Sequence, residues 1–215
     1  MSKSIVVKRL EIPTVDVAAV SAALDRAEIP FHKIETVNWT DYPYCPEVRF
    51  RIAHTGDSLL LNYRVTEDAV RAAAQADNGP VWEDSCVEFL ITFDGCRYQN
   101  VECNCVGTVL SAVGPDRSHR EFLTQELLDG IKRHSSLNPV NLPSAGPVSW
   151  EVSLIIPVAT YRAFGLKSFS GITARCNFYK CGDRLPTPHF LSWNPIDTPT
   201  PDFHCPEYFG EIRFE

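Results

Sequence analysis

Apolar residues recur at alternate positions in many short segments of the chain, a period of two that is typical of β-strands with one buried face. Segments 48–53 and 58–65 alternate in this way on either side of Thr55-Gly56-Asp57, so they predict a β-hairpin. The same kind of pattern predicts further strands at 5–10, 33–39, 85–93, 98–113, 131–134, 149–156, 171–179 and 208–214.

Helical spacing is rarer. Apolar residues between Thr14 and Ala27 recur at helical intervals after Thr14, a candidate N-cap, and predict one short helix. Residues 120–129 are a second helical candidate, and 157–164 favour a single helical turn. About ten strands with one or two short helices predict an all-β fold, an antiparallel β-sandwich of jelly-roll or immunoglobulin-like type. A parallel α/β fold would need a helix between most strands.

The chain of 215 residues fits one all-β domain spanning 1–215, with a strand and a short helix in residues 1–30. Its 44% apolar and 22% charged residues suffice for a core without disulfides or metals. The net charge of −7, with no Lys/Arg cluster longer than two, argues against nucleic acid and membrane partners. We expect the eight cysteines to be reduced and mostly structural.

No apolar run approaches the roughly 20 residues of a membrane helix. The apolar stretch near Met1 is also too short for a signal peptide, so the sequence as written predicts a cytoplasmic protein. A secreted or periplasmic protein whose signal peptide had been removed would look the same.

Large polar side chains occupy one face of several predicted strands. Asn100, Glu102 and Asn104 alternate with Val101, Cys103 and Cys105, which we expect to face the core. Arg175, Asn177 and Tyr179 alternate in the same way with Cys176 and Phe178, and Glu88 lies between Val87 and Phe89. If these strands are neighbours, their polar face offers donors and acceptors that suit a polyhydroxylated ligand.

A sugar site also needs flat apolar walls, because the C–H faces of a sugar ring stack on aromatic side chains. Trp82 precedes Glu88 by six residues, and Trp193 lies in a proline-rich loop, so both are candidate walls. Trp39 and Trp150 border predicted strands and are expected in the core. Structural alternatives are an ion pair of Arg175 with Glu88 or Glu102, plain packing of Trp82, and a loop-anchoring role for Trp193.

Three regions of the chain carry a family resemblance. The string Val81-Trp82-Glu83-Asp84-Ser85-Cys86-Val87-Glu88-Phe89 resembles the signature of carbohydrate-binding module family 9 and its relatives in the DOMON-like superfamily. Tyr98 to Asn104 with Gly107 is similar to the next strand of that family. Arg175 to Asp183, His189 to Trp193, and Phe203 to Gly210 are similar to the C-terminal signature of its stand-alone bacterial members. The resemblance covers about residues 30–215.

The resemblance implies an antiparallel sandwich of about ten or eleven strands in which two tryptophans clamp a terminal sugar. Carried over, Trp82 is one wall, Trp193 the second, and Glu88 the carboxylate acceptor. Glu102 stands where such modules tend to have a basic residue, and Arg175 is the candidate replacement. Members of this family often hold calcium, for which Asp84, Asp94 or Asp183 are candidates, and they are usually appended to secreted xylanases. No dense Asp cluster is present, so no metal or cofactor is assigned.

Three other functions remain open at this point. Some DOMON-like domains bind haem; since Met1 is the only methionine, the axial ligands would be His189, His204 or Lys180. Glu88 and Glu102 could be the carboxylate pair of a glycoside hydrolase. A zinc site would draw on Cys176, Cys181, His189, His204 and Cys205.

The residues favour non-catalytic binding of a mono- or oligosaccharide on a concave sheet face, linked to polysaccharide use. The predicted ligand-binding residues are Trp82, Glu88, Asn100, Glu102, Asn104, Arg175, Asn177, Tyr179, Lys180, His189 and Trp193. No catalytic residue is assigned.

Overall fold

The structure, a computed structural model, describes residues 2–12, 16–140, 142–143 and 146–215. In order, the strands are β1 (Ser4–Arg9), β2 (His32–Lys33), β3 (Thr36–Val37), β4 (Glu47–His54), β5 (Ser58–Glu67), β6 (Cys86–Thr92), β7 (Tyr98–Asn104), β8 (Val109–Gly114), β9 (Glu121–Phe122), β10 (Lys132–Ser135), β11 (Val148–Pro157), β12 (Thr173–Cys181), β13 (Phe190–Ser192) and β14 (Gly210–Phe214). The α-helices are α1 (Val20–Arg26) and α2 (Gln125–Gly130), and short 3₁₀ helices cover Val17–Ala19, Val81–Glu83, Val158–Phe164 and Pro206–Tyr208.

The strands form two layers joined by β1. The order along the sheet is β10-β11-β5-β4-β1-β14-β12-β6-β7-β8-β9. The first four residues of β1 pair with β14 and its last two residues pair with β4, so this strand passes from one layer to the other. Both pairings are parallel, whereas the other strand pairs of the described residues are antiparallel. The predicted β-sandwich is confirmed, with β1 as its parallel exception.

The main core lies between the front layer (β14, β12, β6, β7 and β8) and the back layer (β4, β5 and β11). Phe50 of β4 stacks on Phe178 of β12 with ring centroids 3.7 Å apart. Val87, Phe89, Val101 and other alternate residues of the front strands join them in the core. Because successive strand residues point to opposite faces, Glu88 and Glu102 are left on the outer face of the front layer.

The predicted hairpin is present, since β4 pairs with β5 throughout. The predicted strand 98–113 is two strands, β7 and β8, because the chain reverses at Gly107, whose φ is +94°. Asn104 Oδ1 holds this reversal by accepting hydrogen bonds from the amides of Val106 (3.2 Å) and Thr108 (2.9 Å). Within the second helical candidate, 120–129, the helix α2 begins only at Gln125, and it ends at Gly130.

The first helix starts later than the spacing predicted. Its 3₁₀ turn is capped by Asp16, whose side chain accepts a hydrogen bond from the Ala18 amide at 3.1 Å. The predicted cap, Thr14, lies outside the described residues. Val20 and Leu24 of α1 pack on Leu60 on the outer face of the back layer. No helix in the described part of the chain is long and apolar enough to cross a membrane.

The outer face of the front layer carries a second hydrophobic cluster, which is rich in aromatic residues and includes Trp39, Leu90, Tyr98, Tyr179 and Phe203. A long loop, residues 194–209, lies over one part of this face and is called the strap below. It follows β13, which is paired to β12, and leads into β14. The fold therefore leaves a polar part of this face between the strap and the loop that precedes β6.

Candidate functional site

Glu88 and Glu102 lie side by side on the outer face of the front layer. They face each other in the antiparallel pair β6–β7, and such residues have Cβ atoms about 5 Å apart. The two residues are only 3% and 2% exposed. Two carboxyl groups are thus held close together, largely away from bulk water.

Glu102 has one occupied and one free carboxyl oxygen. Asn100 Nδ2 donates a 2.6 Å hydrogen bond to Glu102 Oε1, and Arg120 Nη1 lies 3.8 Å from the same oxygen. Glu102 Oε2 and Arg120 Nη1 are both buried without a hydrogen-bond partner among the described residues. An acceptor and a donor are therefore available to a ligand that carries hydroxyl groups.

Glu88 has a different neighbour. Cys181 of β12 donates a hydrogen bond through Sγ to Glu88 Oε1 at 3.2 Å. Burial, and then the charge of Glu102, raise the pKa of Glu88 well above its usual range. Burial also raises the pKa of Glu102 to about 7, although Arg120 opposes the shift. Near neutral pH the pair therefore carries fewer than two full negative charges, so it can both donate and accept protons in hydrogen bonds.

The two carboxyl groups open into a pocket that encloses about 510 Å³ of empty space, open solvent at its mouth included. The pocket is lined by Trp82, Glu88, Glu102, Arg117, Arg120, Cys181, Asp183, Phe190, Pro201, Asp202, Phe203 and His204. Aromatic and charged side chains thus surround the pair of carboxyl groups.

Trp82 forms one wall of the pocket from the 3₁₀ helix Val81–Glu83. The next residue, Asp84, is fully buried and accepts hydrogen bonds from the amides of Ala73 (2.9 Å) and Ala74 (3.0 Å). It also forms an ion pair with Arg71. Asp84 thereby fixes the segment that carries Trp82 against residues 71–74, earlier in the same loop. Trp82 itself stays partly exposed.

Phe190 and Phe203 supply further aromatic surface in the pocket. Phe203, in the strap, stacks on Tyr179 with centroids 4.2 Å apart and an interplanar angle of 9°. The Tyr179 hydroxyl donates to the Phe203 carbonyl at 3.1 Å. Tyr179 is fully buried, so it supports Phe203 from beneath and does not line the pocket.

Ionisable groups of three loops stand around the mouth. Partial desolvation raises the pKa of Asp183 to about 6, although the residue as a whole is exposed. Burial, and then the charge of Arg120, lower the pKa of His204 to about 4. The neutral His204 ring shares a 2.9 Å hydrogen bond between Nδ1 and the Tyr98 hydroxyl.

Three of the predicted ligand-binding residues line the pocket: Trp82, Glu88 and Glu102. Asn100 lies directly behind them, since it bonds to Glu102 through Nδ2 and accepts from the Ala112 amide at 2.7 Å through Oδ1. The predicted polar face therefore exists, and these four residues are together on it. Whether they bind a ligand remains a prediction.

Three other predicted residues hold loops. Asn104 Nδ2 donates to Asp84 at 3.0 Å. Asn177 Nδ2 donates to the Asn194 carbonyl at 2.9 Å. Arg175 donates to the backbone carbonyls of Glu207 and Phe209 and not to either pocket glutamate, which excludes the proposed ion pair in this structure.

Trp193 is not the second wall, and this prediction is wrong. The residue is 3% exposed and packs edge-on against Phe50 and Phe178, with centroids 6.2 and 5.8 Å away. Its side chain enters the core between the layers because the Trp193 amide bonds back to the Phe178 carbonyl at 2.8 Å. Phe190 and Phe203 provide the aromatic surface that Trp193 was expected to supply.

Lys180 and His189 also lie away from the pocket, which corrects their prediction as ligand-binding residues. Lys180 follows Tyr179, so strand alternation points it into the interior. There Lys180 Nζ contacts Glu67 Oε2 at 2.9 Å and His189 Nε2 at 2.8 Å, and all three side chains are fully buried. Since His189 and His204 face different regions, they do not form a common haem site.

The metal sets considered from the sequence do not assemble. Asp84 and Asp94 flank opposite ends of β6, about 20 Å of strand apart, so they cannot share a calcium ion. Cys176 points into the core, away from His204 and the strap, so the zinc set is divided between two faces. Among the described residues, three metal-type ligand atoms come together at Cys86, Glu88 and Cys181.

The pocket residues that sequence reasoning missed come mainly from loops. Arg117 and Arg120 lie between β8 and β9, Asp183 follows β12, and Phe203 and His204 belong to the strap. Their positions depend on the paths of three loops, which no local periodicity predicts. The aromatic residues within the proline-rich strap were the one usable signal.

Comparison with known proteins agrees with this architecture. The family model for carbohydrate-binding family 9 matches residues 18–214. A Bacteroides uniformis protein of known structure, provisionally described as carbohydrate-binding, is 47% identical over 100% of both chains, with a TM-score of 0.95.

More distant structures share the fold. A family 9 carbohydrate-binding module from Caldicellulosiruptor kristjanssonii has been solved with glucose and with cellotriose. Each is 13% identical with a TM-score of 0.62 and covers 99% of this chain; the alignments cover 96% and 94% of the respective modules. No curated protein matches the chain. The match over residues 18–214 shows that the chain belongs to carbohydrate-binding family 9.

Proposed function

We propose that this protein binds a saccharide without altering it, by stacking one sugar ring on Trp82 and bonding its hydroxyl groups to Glu88, Glu102 and Arg120. The observation that carries the proposal is one pocket in which an aromatic wall adjoins a buried acceptor and a buried donor, neither of which has a hydrogen-bond partner in the described part of the chain. Sugars match such a pocket because their hydroxyl groups donate and accept while their C–H faces are apolar.

Glucose-based sugars are the first ligands to consider. The related modules of known structure were solved with glucose and cellotriose. Glu88 and Glu102 are almost fully buried within the pocket, so we infer that the terminal residue of an oligosaccharide, and not the middle of a long chain, reaches them. This mode of binding would place the protein in the use or sensing of polysaccharide fragments.

The affinity is expected to be modest. Buried polar groups lose water when the ligand binds, which offsets much of the hydrogen-bond and stacking energy. A dissociation constant between about 1 µM and 1 mM corresponds to roughly 8 to 4 kcal/mol. Stacking on one aromatic ring supplies about 1 kcal/mol or more of that energy beyond area burial.

The first test is isothermal titration calorimetry with glucose, cello-oligosaccharides and xylo-oligosaccharides, comparing the wild type with Trp82→Ala. We expect saturable binding that weakens at least about tenfold in Trp82→Ala, because the ring loses its stacking surface. Phe31→Ala is the matched control, since Phe31 is a partly exposed aromatic residue that lies against Arg49 and Arg64 of the back layer and does not line the pocket. Equal affinities for wild type and Trp82→Ala would contradict the proposal.

A glycoside hydrolase is the second candidate, because Glu88 and Glu102 face each other and both have raised pKa values. Hydrolysis would need one carboxylic acid and one carboxylate across a glycosidic bond. The same oligosaccharide titrations separate the two functions. Recovery of unchanged ligand favours a binding protein, whereas shortened products would identify the glutamate pair as catalytic.

A further inference from the structure

Cys86, Glu88 and Cys181 form a compact ligand cluster beneath the pocket. Cys86 and Cys181 face each other in the antiparallel pair β6–β12, and Glu88 is two residues further along β6 on the same face. The two sulfur atoms and one carboxylate oxygen all lie within 4.8 Å of one another. The sheet register fixes this arrangement, since all three residues are on neighbouring positions of two paired strands.

The distances are close to those of a tetrahedral zinc site. With Zn–S bonds of about 2.3 Å and a Zn–O bond of about 2.1 Å, tetrahedral ligand atoms stand about 3.5 to 3.8 Å apart. The Cys181 Sγ to Glu88 Oε1 distance is 3.2 Å. Since all three atoms lie within 4.8 Å of one another, side-chain movements of up to about 1 Å would bring them to tetrahedral spacing.

The polar atoms of the cluster make weak hydrogen bonds within the protein. Among the described residues, the thiol of Cys181 is the hydrogen-bond partner of the Glu88 carboxyl group. Cys86 Sγ has a long contact of 3.7 Å with the Val87 carbonyl. Thiols are weak donors, so a buried carboxyl group with such a partner gains little from it. A bound cation would satisfy all three groups at once.

The cluster can be reached from solvent and has one open side. Glu88 and Cys181 line the pocket, whereas Cys86 lies deeper. An ion entering through the pocket would meet the three ligands at its floor and keep its fourth position toward the lumen. Three protein ligands with an open fourth position are the arrangement of reactive zinc sites, whereas purely structural sites are closed by four protein ligands.

We propose that Cys86, Glu88 and Cys181 bind one zinc ion at the floor of the pocket, with the fourth coordination position open to water or to a ligand hydroxyl group. Two sulfur ligands and one carboxylate favour zinc over calcium or magnesium, which prefer oxygen ligands. This site shares only Cys181 with the zinc set considered from the sequence. It goes beyond saccharide binding, since it concerns a metal ion that the protein would hold with no sugar present.

The test measures zinc itself, in the absence of sugar. The exposed thiols Cys45 and Cys96 would bind zinc adventitiously, so both are first replaced by serine. This protein is loaded with zinc, desalted and analysed by mass spectrometry for metal content. We expect about one zinc ion per chain, and cobalt substitution should give a thiolate-to-cobalt absorption band with the intensity of a tetrahedral site.

Removal of single ligands makes the test specific. Cys181→Ser and Cys86→Ser should each lower the zinc affinity by about 100-fold or more, and Glu88→Gln should weaken it while keeping the cobalt–thiolate band. Cys205→Ser is the matched control, because Cys205 is a largely buried cysteine of the strap outside the cluster. Circular dichroism verifies that each variant is folded.

Failure to retain zinc in the folded protein, or equal zinc binding by Cys181→Ser, Glu88→Gln and Cys205→Ser, would overturn the proposal. Neither result bears on saccharide binding, which is measured separately with chelator-treated protein. Saccharide binding that persists after chelation would support the proposed function whatever the zinc assay shows.

Discussion

At the residue scale, Asp84 and Glu102 show how hydrogen-bond partners decide what a buried carboxyl group does. Asp84 is saturated by two backbone amides, by Asn104 and by Arg71. Glu102 keeps one oxygen without a partner in the described part of the chain. Both residues are less than 3% exposed. The saturated carboxylate is a structural anchor, while the unsaturated one is available to a ligand.

The anchor role predicts the effect of Asp84→Asn. The substitution removes the negative charge opposite Arg71 and turns one acceptor oxygen into a donor facing a backbone amide. We expect the free energy of unfolding to fall by about 2–4 kcal/mol, measured by urea denaturation. Glu11→Gln is the control, because Glu11 forms an exposed ion pair with Arg9 that should matter little. A loss equal to that of the control would rule out the anchor role.

At the element scale, β12 contacts the strap on its outer face and the back layer on its inner face. Its outward residues Arg175, Asn177 and Tyr179 hold the strap by hydrogen bonds to its backbone. Its inward residues enter the core, and Lys180 meets Glu67 of the back layer. The strap in turn brings Phe203, Asp202 and His204 to the pocket. Arg175, Asn177 and Tyr179 therefore shape the site without lining the pocket, whereas Cys181 at the end of β12 lines it.

This arrangement predicts that Asn177→Ala weakens saccharide binding from a distance. Asn177 donates to the Asn194 carbonyl at 2.9 Å and accepts from the Asn194 amide at 2.8 Å, so the variant releases the start of the strap. We expect about a 3- to 30-fold loss of affinity, together with faster proteolysis within 197–202. Thr173→Ala, at an exposed position of the same strand, should change neither. Unchanged proteolysis with lost affinity would instead indicate direct contact of Asn177 with the sugar.

The limits of sequence reasoning are clearest on the same strand. Alternation correctly predicts that Cys176 and Phe178 face the core and that Asn177 and Tyr179 do not. The same rule, carried one residue further, places Lys180 inside. Lys180 was predicted to bind the ligand, yet a lysine is rarely buried unless it is paired. The partner that makes burial tolerable, Glu67, lies more than a hundred residues earlier on the other layer, where local patterns give no signal.

Trp193 and the loop residues illustrate a second limit. The position of Trp193 in a proline-rich loop suggested exposure, but one backbone hydrogen bond to Phe178 turns its ring inward. Arg120 and His204 reach the pocket from loops whose ends are fixed by strand pairing but whose paths depend on contacts formed only in the folded chain. Periodicity thus predicted that the two glutamates share one face of the sheet, whereas Trp82 was predicted from its position just before the strand of Glu88 and from the family resemblance.

At the scale of the whole molecule, a buried polar network links the two layers. Glu67 of the back layer accepts a 2.8 Å hydrogen bond from Trp150 Nε1 and contacts Lys180 Nζ of the front layer at 2.9 Å. His189 completes the network by contacting Lys180 Nζ at 2.8 Å, and its other ring nitrogen is 3.0 Å from the Thr187 carbonyl. Because His189 accepts from the lysine ammonium, its ring must be neutral at Nε2.

This network makes the stability of the fold dependent on pH. Burial, and then the charge of Lys180, lower the pKa of His189 to about 3, whereas an unfolded histidine titrates near about 6.5. Between these values the unfolded chain binds more protons than the folded chain. The free energy of unfolding contributed by His189 is therefore fully present above about pH 6.5 and falls as the pH is lowered. The Tyr44 ring and the Glu67 carboxylate, 3.6 Å from Nε2, are the other groups that face it.

His189→Gln separates this contribution from other titrating groups. The glutamine oxygen can accept from Lys180 but takes up no proton, so the variant should be less stable than the wild type at pH 7.5 yet lose less stability on acidification. We expect the free energy of unfolding to fall between pH 7.5 and pH 5 by about 1–2 kcal/mol less in the variant than in the wild type, measured by urea denaturation at both pH values. The raised pKa of Glu102 acts in the opposite direction, but equally in both proteins. His134→Gln, an exposed control, should follow the wild type, and an equally steep loss in His189→Gln would show that the network does not set the acid sensitivity of the fold.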